Sequence, residues 1–353
     1  MTGRPVWLGW LPEWRAGLTR LTAVARQPFV SSMLRRLVTF LLSLLAASVV
    51  VFAATNLLPG DVAGVILGSS ATPDAVEALR HQLGLDVALP VRYLHWLAGL
   101  LQGDFGRSAF AGTPIGPLIA SKLGVTCSLV GLGMILAVVI ALPLGTFAAM
   151  RLRRVSGTVV SVLSQVGMSI PAFLAGIALV MLFAVTLHLL PANGYTPLTQ
   201  DPVDWLRRLI LPALALGIVQ GAVLVRYVRN ALIDVLGQDY FRTARAIGWT
   251  RRRAVTRHGL RNAALQVVTV IGLQLATLLV GAVVIENVFV LPGLGALLLS
   301  SVQSRDLPVV QAIVMVLVAS ILAINAVVDL AYYAIDPRLR GEAGADDDEE
   351  AAP

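Results

Sequence analysis

The side chains that most often carry out catalysis are few in this sequence and lie far apart. Four histidines are spread along the chain, at His81, His95, His188 and His258. No Gly-x-Ser-x-Gly motif occurs, and Asp329 has no second aspartate within the other long apolar runs. The single cysteine, Cys127, allows neither an internal disulfide nor a site with several cysteine ligands. The sequence therefore predicts that the chain is not an enzyme and holds no metal.

The chain also lacks the loop with which many proteins hold the phosphates of ATP. A Walker A loop needs a lysine followed by serine or threonine, because that lysine reaches the β- and γ-phosphates. Lys122 is the only lysine, and Leu123 follows it. If ATP drives this protein, we expect another chain to hydrolyse it.

The composition is that of a membrane protein. Of the 353 residues 57% are hydrophobic and 13% are charged, whereas about 25% of residues are charged in a typical soluble domain. The mean hydropathy of +0.81 agrees with this. Folding of the whole chain as a water-soluble globule is therefore not expected.

Six apolar runs are long enough to cross about 30 Å of hydrocarbon, which takes roughly 20 helical residues. They cover residues 37–58, 123–150, 155–190, 209–225, 263–285 and 307–328. The third run is longer than one straight span requires, so we expect a kink near Pro171 or an end that leaves the bilayer. The sequence thus predicts an all-α integral membrane protein with six transmembrane helices.

The basic residues predict its orientation. Twenty of the 27 lie at the two ends of the chain and in the two loops that would share one side of the membrane. By the positive-inside rule that side, with both termini, is cytoplasmic. Residues 1–36 would then be a cytoplasmic N-terminal extension, 59–122 an external subdomain and 336–353 an acidic cytoplasmic tail. The first apolar run is too long for a signal peptide, so we expect a retained anchor.

The most basic segment lies between the fourth and fifth runs, where nine of the 26 arginines fall between Arg226 and Arg261. It reads as a polar helix from Asp239, then Gly248, then a second basic helix. Gly248 suits a helix C-terminus that needs a positive φ, and Thr250 would cap the following helix. Such an element can be bound by a partner protein. Binding of anionic lipid is the alternative explanation of the arginines, and nucleic acid is disfavoured because aromatic residues are few.

This segment resembles the cytoplasmic coupling segment, or EAA loop, of ABC-importer permeases. The resemblance is greatest to the first permease of the pair in the dipeptide, oligopeptide and nickel branch, whose loop reads Asp-Tyr-x-Arg-Thr-Ala-Arg-Ala-x-Gly and then Arg-His-x-Leu-Arg-Asn-Ala. The matching residues here are Asp239, Tyr240, Arg242, Thr243, Ala244, Arg245, Ala246 and Gly248, followed by Arg257, His258 and 260–263. Arg242 stands where the wider family has an acid.

Further motifs of the branch occur in order over roughly residues 33 to 340. They are found at 58–61, 83–86, 91–97, 101–108, 286–289, 291–295 and 336–338. The match begins near Met33, so residues 1–32 form an extension or reflect the choice of start codon. One departure is Leu123-Gly124-Val125-Thr126, where the branch commonly has Leu-Pro-x-Thr.

The resemblance implies a type I ABC importer permease fold in a bacterial inner membrane, with a permease core over 123–335. It also implies four kinds of partner: a second homologous permease, two ATP-binding subunits, an external substrate-binding protein and membrane lipid. ATP and Mg²⁺ would be held by the ATP-binding subunits, and this chain would bind no cofactor. Segment 230–262 would couple it to an ATPase subunit. Peptides are the expected cargo, with nickel or a metal chelate as the alternative, and an ion-coupled secondary transporter is the competing class.

Polar residues inside the apolar runs are candidates for the translocation path, because leaving them in lipid is costly. They are Gln165, Gln220, Gln274, Asn325 and Asp329, with Glu286 at the outer end of the fifth run as a candidate for the outer gate. The glutamines could instead only bond neighbouring helices. Asp329, near an inner helix end, could simply reach water or an arginine.

Overall fold

Helices form nearly all the regular structure in the computed structural model, which describes residues 28–57, 64, 67, 71–82, 84 and 86–335. The predicted N-terminal extension up to residue 27, the turn at 58–61 and the acidic tail lie outside the described residues. The helices are α1 (Pro28–Asn56), α2 (Pro73–Gln82), α3 (Leu89–Leu101), α4 (Ile115–Met150), α5 (Val155–Ser169), α6 (Ala172–Leu179), α7 (Pro202–Gly237), α8 (Asp239–Ala246), α9 (Arg251–Ala254), α10 (Leu260–Val288), α11 (Leu294–Gln303) and α12 (Leu307–Ile335). Two π-helical segments, Val180–Thr186 and Val255–Gly259, extend α6 and join α9 to α10.

Among the described residues, five helices, α1, α4, α7, α10 and α12, are long and apolar enough to cross a membrane, and the bent pair of α5 and α6 makes a sixth if it is one span. The predicted all-α membrane fold is confirmed. Helix α7, from Pro202 to Gly237, extends beyond the predicted fourth span, 209–225, at both ends. At about 1.5 Å per residue, a helix of this length exceeds the roughly 30 Å of hydrocarbon. The polar residues at both ends of α7 therefore lie outside the apolar run in the sequence.

The third apolar run is broken where the kink was predicted. Ile170, which precedes Pro171, has extended backbone angles of φ −85° and ψ 122°, as expected because a proline disfavours the helical conformation of the residue before it. The two halves of the run meet at 99°. After residue 186 the chain leaves helical structure and forms a loop that leads into α7.

The centre of the core is the seam between α4 and α7, which is lined with glycines. A Cβ atom on Gly145 would lie 2.7 Å from Cβ of Val228, and one on Gly217 would lie 2.8 Å from Cβ of Leu136. Small residues let two membrane helices approach closely, so that backbone and side chains pack along their length. The glycines therefore set the separation of the two longest helices.

A valine at Gly145 is expected to destabilise the protein by about 1–3 kcal/mol, because overpacking of a close seam forces the helices apart. Gly131, on the same helix, has open space where its Cβ would stand, so Gly131→Val is the matched control with the same change of helix propensity. The melting temperature of the detergent-solubilised variants measures the difference. Equal melting temperatures would show that the seam tolerates wider separation.

The described part of the segment between α1 and α4 contains α2 and α3, and α3 packs on α1. Thr72 caps α2, because its Oγ1 accepts a hydrogen bond from the backbone N–H of Ala75 at 3.3 Å. On α3, the rings of Tyr93 and Trp96 lie 5.4 and 5.6 Å from the ring of Phe52 on α1. These aromatic contacts fix α3 against the first span.

The end of the same segment is tied to the start of α12. The hydroxyl of Ser108 donates to the carboxylate of Asp306, and the N–H of Ala109 donates to the same carboxylate at 3.0 Å. Asp306 is buried, and the loop supplies two hydrogen-bond donors to its carboxylate. The segment therefore bridges the first and last spans.

Candidate functional site

The loop between α7 and α10 has the predicted helix–glycine–helix form. Gly248 follows α8 with a φ of +93°, a conformation that side chains strongly disfavour. The N–H of Gly248 donates to the Arg245 carbonyl at 3.2 Å, and that of Trp249 to the Ala244 carbonyl at 3.1 Å. Thr250 Oγ1 accepts from the N–H of Arg253 at 3.3 Å, so both the glycine C-terminus and the threonine cap are confirmed.

Helix α8 has one buried and one exposed face. Phe241 and Ala244 are buried and join the same apolar core as Val235 and Val255. Ala244 is among the coupling residues that the resemblance implies, but its side chain faces the chain's own core, because it lies one turn after Phe241.

The other predicted docking residues lie on the exposed face of α8. We call this the docking face; it comprises Asp239, Tyr240, Arg242, Thr243, Arg245, Ile247 and Gly248. Arg242 Nη1 lies 3.4 Å from Asp239 Oδ1 in a pair whose side chains are largely exposed, and such pairs contribute little to stability. Arg245 Nη1 donates to the Trp249 carbonyl at 2.5 Å and so strengthens the turn. The Arg242–Asp239 pair therefore contributes little to folding, whereas Arg245 supports the turn.

Ile247 is the residue of the docking face that sequence reasoning missed. Its side chain is 70% exposed, although an isoleucine next to a charged helix would ordinarily be buried. The signal in the sequence was an apolar residue directly before the glycine that ends a polar helix. Together with Tyr240 it gives the face an apolar component that a partner can cover.

Two arginine side chains in the second half of the loop stack on one tryptophan. The guanidinium carbons of Arg253 and Arg257 lie 4.9 and 5.9 Å from the ring centre of the half-buried Trp249. A cation over an indole face is attracted by the ring quadrupole. The side chain of the matched His258 lies outside the described part, and Ala263 is buried in the core.

The polar residues predicted inside the spans lie on separate helices and differ in exposure. Gln220 on α7 is buried, Gln274 on α10 is half-buried and Gln165 on α5 is exposed. On α12, Asn325 is half-buried and Asp329 is exposed. Their place on a translocation path stays a prediction.

Glu286 is fully buried and anchors α11 to α10 and α4. One carboxylate oxygen accepts a hydrogen bond from the hydroxyl of Thr126 at 2.6 Å, and the other accepts the N–H groups of Gly295 and Ala296 at 2.7 and 3.2 Å. These N–H groups belong to the first turn of α11, where backbone N–H groups have no acceptor within the helix. Because it is buried, Glu286 does not line an open passage in this conformation.

The turn before α11 is shaped around that carboxylate. A Cβ atom on Gly293 would lie 2.1 to 2.3 Å from the Glu286 carboxyl group, so only glycine fits there. Thr126, whose Oγ1 also accepts the Leu294 N–H at 2.9 Å, was missed by sequence reasoning as a partner of Glu286. The two residues are 160 positions apart, and no local pattern connects them.

Among the described residues, no group of three or more His, Cys, Asp or Glu side chains is placed to hold a metal ion.

Comparison with known families matches almost the whole chain. Residues 29–128 match the N-terminal family described as "Binding-prot-dependent transport system membrane comp, N-term". Residues 141–341 match "Binding-protein-dependent transport system inner membrane component". The two matched regions include the segment between α1 and α4, all of α7 and the docking face.

Individual relatives and a solved structure agree. The chain is 38% identical over 307 residues to a probable peptide ABC transporter permease protein, y4tP, of Sinorhizobium fredii, covering 87% of this chain and 98% of that protein. It is 42% identical over the same length to the glutathione transport system permease protein GsiC of Salmonella choleraesuis, with the same coverage. A chain of the inward-facing MetNI methionine ABC transporter shares the fold, with a TM-score of 0.53 at 19% identity over 62% of this chain and 96% of that chain. The chain therefore belongs to the family of inner membrane components of binding-protein-dependent transport systems, as a permease subunit of an ABC importer.

Proposed function

We propose that this permease subunit imports peptides that an external binding protein delivers. The support is that two relatives covered almost end to end are named for peptide and for glutathione transport, and glutathione is itself a small peptide. No observation favours nickel or a metal chelate over a peptide. The basic loops support an orientation with both termini in the cytoplasm.

The complete importer would contain a second, homologous permease and two ATP-binding subunits that hold ATP and Mg²⁺. The observation that carries the coupling role is the docking face: a short helix with charged, aromatic and aliphatic side chains exposed on one side and Phe241 fixed in the core on the other. Only Gln238 separates α8 from the 36-residue α7. A displacement of α8 by an ATPase subunit would therefore reach α7 and, through the glycine seam, α4. This is the rigid movement that alternating access requires.

An aspartate at Ile247 tests this role. The aspartate would be desolvated at the interface, so we expect the amount of ATPase subunit that copurifies with the tagged permease to fall by about tenfold. Val155→Asp is the matched control, because Val155 is also an exposed aliphatic residue, lies on the same predicted side and is outside the docking face. Unchanged copurification and substrate-stimulated ATPase activity in Ile247→Asp would refute the assignment.

The cargo is tested separately. The assembled importer in liposomes is supplied with its binding protein and with either a labelled peptide or labelled Ni²⁺. Peptide accumulation that depends on ATP supports the proposal, and accumulation of Ni²⁺ without peptide contradicts it.

A further inference from the structure

A cleft of about 1170 Å³ lies between the end of α4 and the start of α10. Its walls include Leu142 and Phe147 of α4 and Leu260 of α10, and three arginines stand around it: Arg151, Arg154 and Arg253. None of the described residues that line it is acidic. The cleft thus combines an apolar wall with a cluster of positive charge, and no residue of the docking face lines it.

The apolar wall belongs to a spanning helix. Leu142 and Phe147 are 39% and 37% exposed and lie within the last three turns of α4, which ends at Met150. Arg151 and Arg154 follow directly. Arginines just beyond the apolar part of a spanning helix place their charge at the level of the lipid headgroups while their stems stay on apolar surface. The cleft therefore has the polarity that an anionic lipid requires: its wall is apolar towards the bilayer interior and cationic at the level of the headgroups.

An aromatic ring and a hydroxyl group hold the Arg151 side chain in place. The guanidinium of Arg151 lies 4.5 Å from the ring centre of Phe147 and donates to the hydroxyl of Ser156 at 3.3 Å. Arg253 lies over the ring of Trp249, just after the turn at Gly248. The ring of Phe147 and the hydroxyl of Ser156 orient the Arg151 guanidinium without cancelling its charge, which leaves this side of the cleft suited to an anion.

We propose that this cleft binds an anionic phospholipid, with its phosphate among Arg151, Arg154 and Arg253 and its acyl chains along Leu142, Phe147 and Leu260. Basic pockets between membrane helices are the known way in which proteins hold anionic headgroups. A free phosphate would leave the apolar wall uncovered, and an acidic protein segment would have to enter the level of the bilayer to reach it. The bound lipid links the α4–α5 connection to α9, next to the docking face. The inference rests on the proposed function only in assigning the cleft to the cytoplasmic leaflet.

The experiment compares two double variants of the assembled, purified importer. Arg151→Gln/Arg154→Gln removes two charges from the cleft. Arg153→Gln/Arg226→Gln removes two exposed charges from the same side of the protein without touching the lining. Each complex is titrated with phosphatidylglycerol, phosphatidylcholine or soluble glycerol phosphate, and bound ligand is counted by native mass spectrometry.

We expect the cleft variant to bind phosphatidylglycerol about tenfold or more weakly than the unmodified complex, and the control to bind it within about twofold. Phosphatidylcholine and glycerol phosphate should bind all three complexes weakly. Equal losses in the two double variants, or glycerol phosphate binding as tightly as the lipid, would overturn the proposal. Because copurification of the ATPase subunit is read in the same samples, a failure of lipid binding in an intact importer is distinguishable from a failure of the proposed function.

Discussion

Replacement of Glu286 by alanine is expected to destabilise the protein by about 3–5 kcal/mol, because several buried donors lose their acceptor. The substitution removes the acceptor for the buried N–H groups of Gly295 and Ala296 and for the hydroxyl of Thr126. A buried donor left without a partner costs roughly 1–3 kcal/mol, and three are left here. The loss would appear as a fall in the melting temperature of the purified complex, together with poor membrane expression.

Two controls make this result specific. Glu286→Gln keeps the shape and one acceptor oxygen, so we expect a loss of about half that size. Asp329→Ala removes an exposed acid near the end of α12 and should change stability by no more than about 0.5 kcal/mol. If Glu286→Ala has the same melting temperature as the unmodified protein and is expressed normally, α11 is held by other contacts and the anchoring role is wrong.

Substitution of Gly248 by valine is expected to lower substrate-stimulated ATPase activity of the assembled importer by about tenfold or more. The φ of +93° strains any side chain by roughly 1–2 kcal/mol, and a β-branched side chain is least able to adopt it. Nothing within 4 Å of the glycine would block a Cβ atom in this chain. The effect therefore comes from the distorted turn and from bulk added to the docking face.

Two variants separate these causes. Asparagine tolerates positive φ better than other residues, so Gly248→Asn should retain more activity than Gly248→Val. Gly237→Val, at an open position at the end of α7 without positive φ, should leave the ATPase activity near that of the unmodified complex. Normal transport and normal stimulated ATPase activity in Gly248→Val would show that the segment does not couple the permease to ATP hydrolysis.

Local features of the fold were predictable from sequence because their causes are local. The break at Pro171 follows from the steric clash of a proline with the residue before it. The positive φ of Gly248 and the caps at Thr72 and Thr250 follow from short-range backbone hydrogen bonding. The spans followed from apolar composition, although α7 extends beyond its apolar run, since hydropathy marks only the part of a helix that lies in hydrocarbon.

The docking face was predictable only in part. Motif resemblance identified the segment and most of its residues, and the periodicity of a helix then divides them between two faces. Which face turns inward depends on what covers it, and that is decided by the core residues Val235 and Val255, which belong to other elements. For this reason the motif includes Ala244, whose side chain faces inward, and leaves out the exposed Ile247.

The sequence by itself determined the membrane class, the number of apolar runs, the family and the location of the docking segment, because each depends on composition or on contiguous motifs. Only the tertiary structure decided that Glu286 is an anchor, that Thr126 is its partner and that Arg151 and Arg253 surround one cleft. These relations join residues about 100 to 160 positions apart. Their proximity is set by the close packing of α4 against α7 and α10, and the periodicity of one helix does not tell which other helix covers its apolar face.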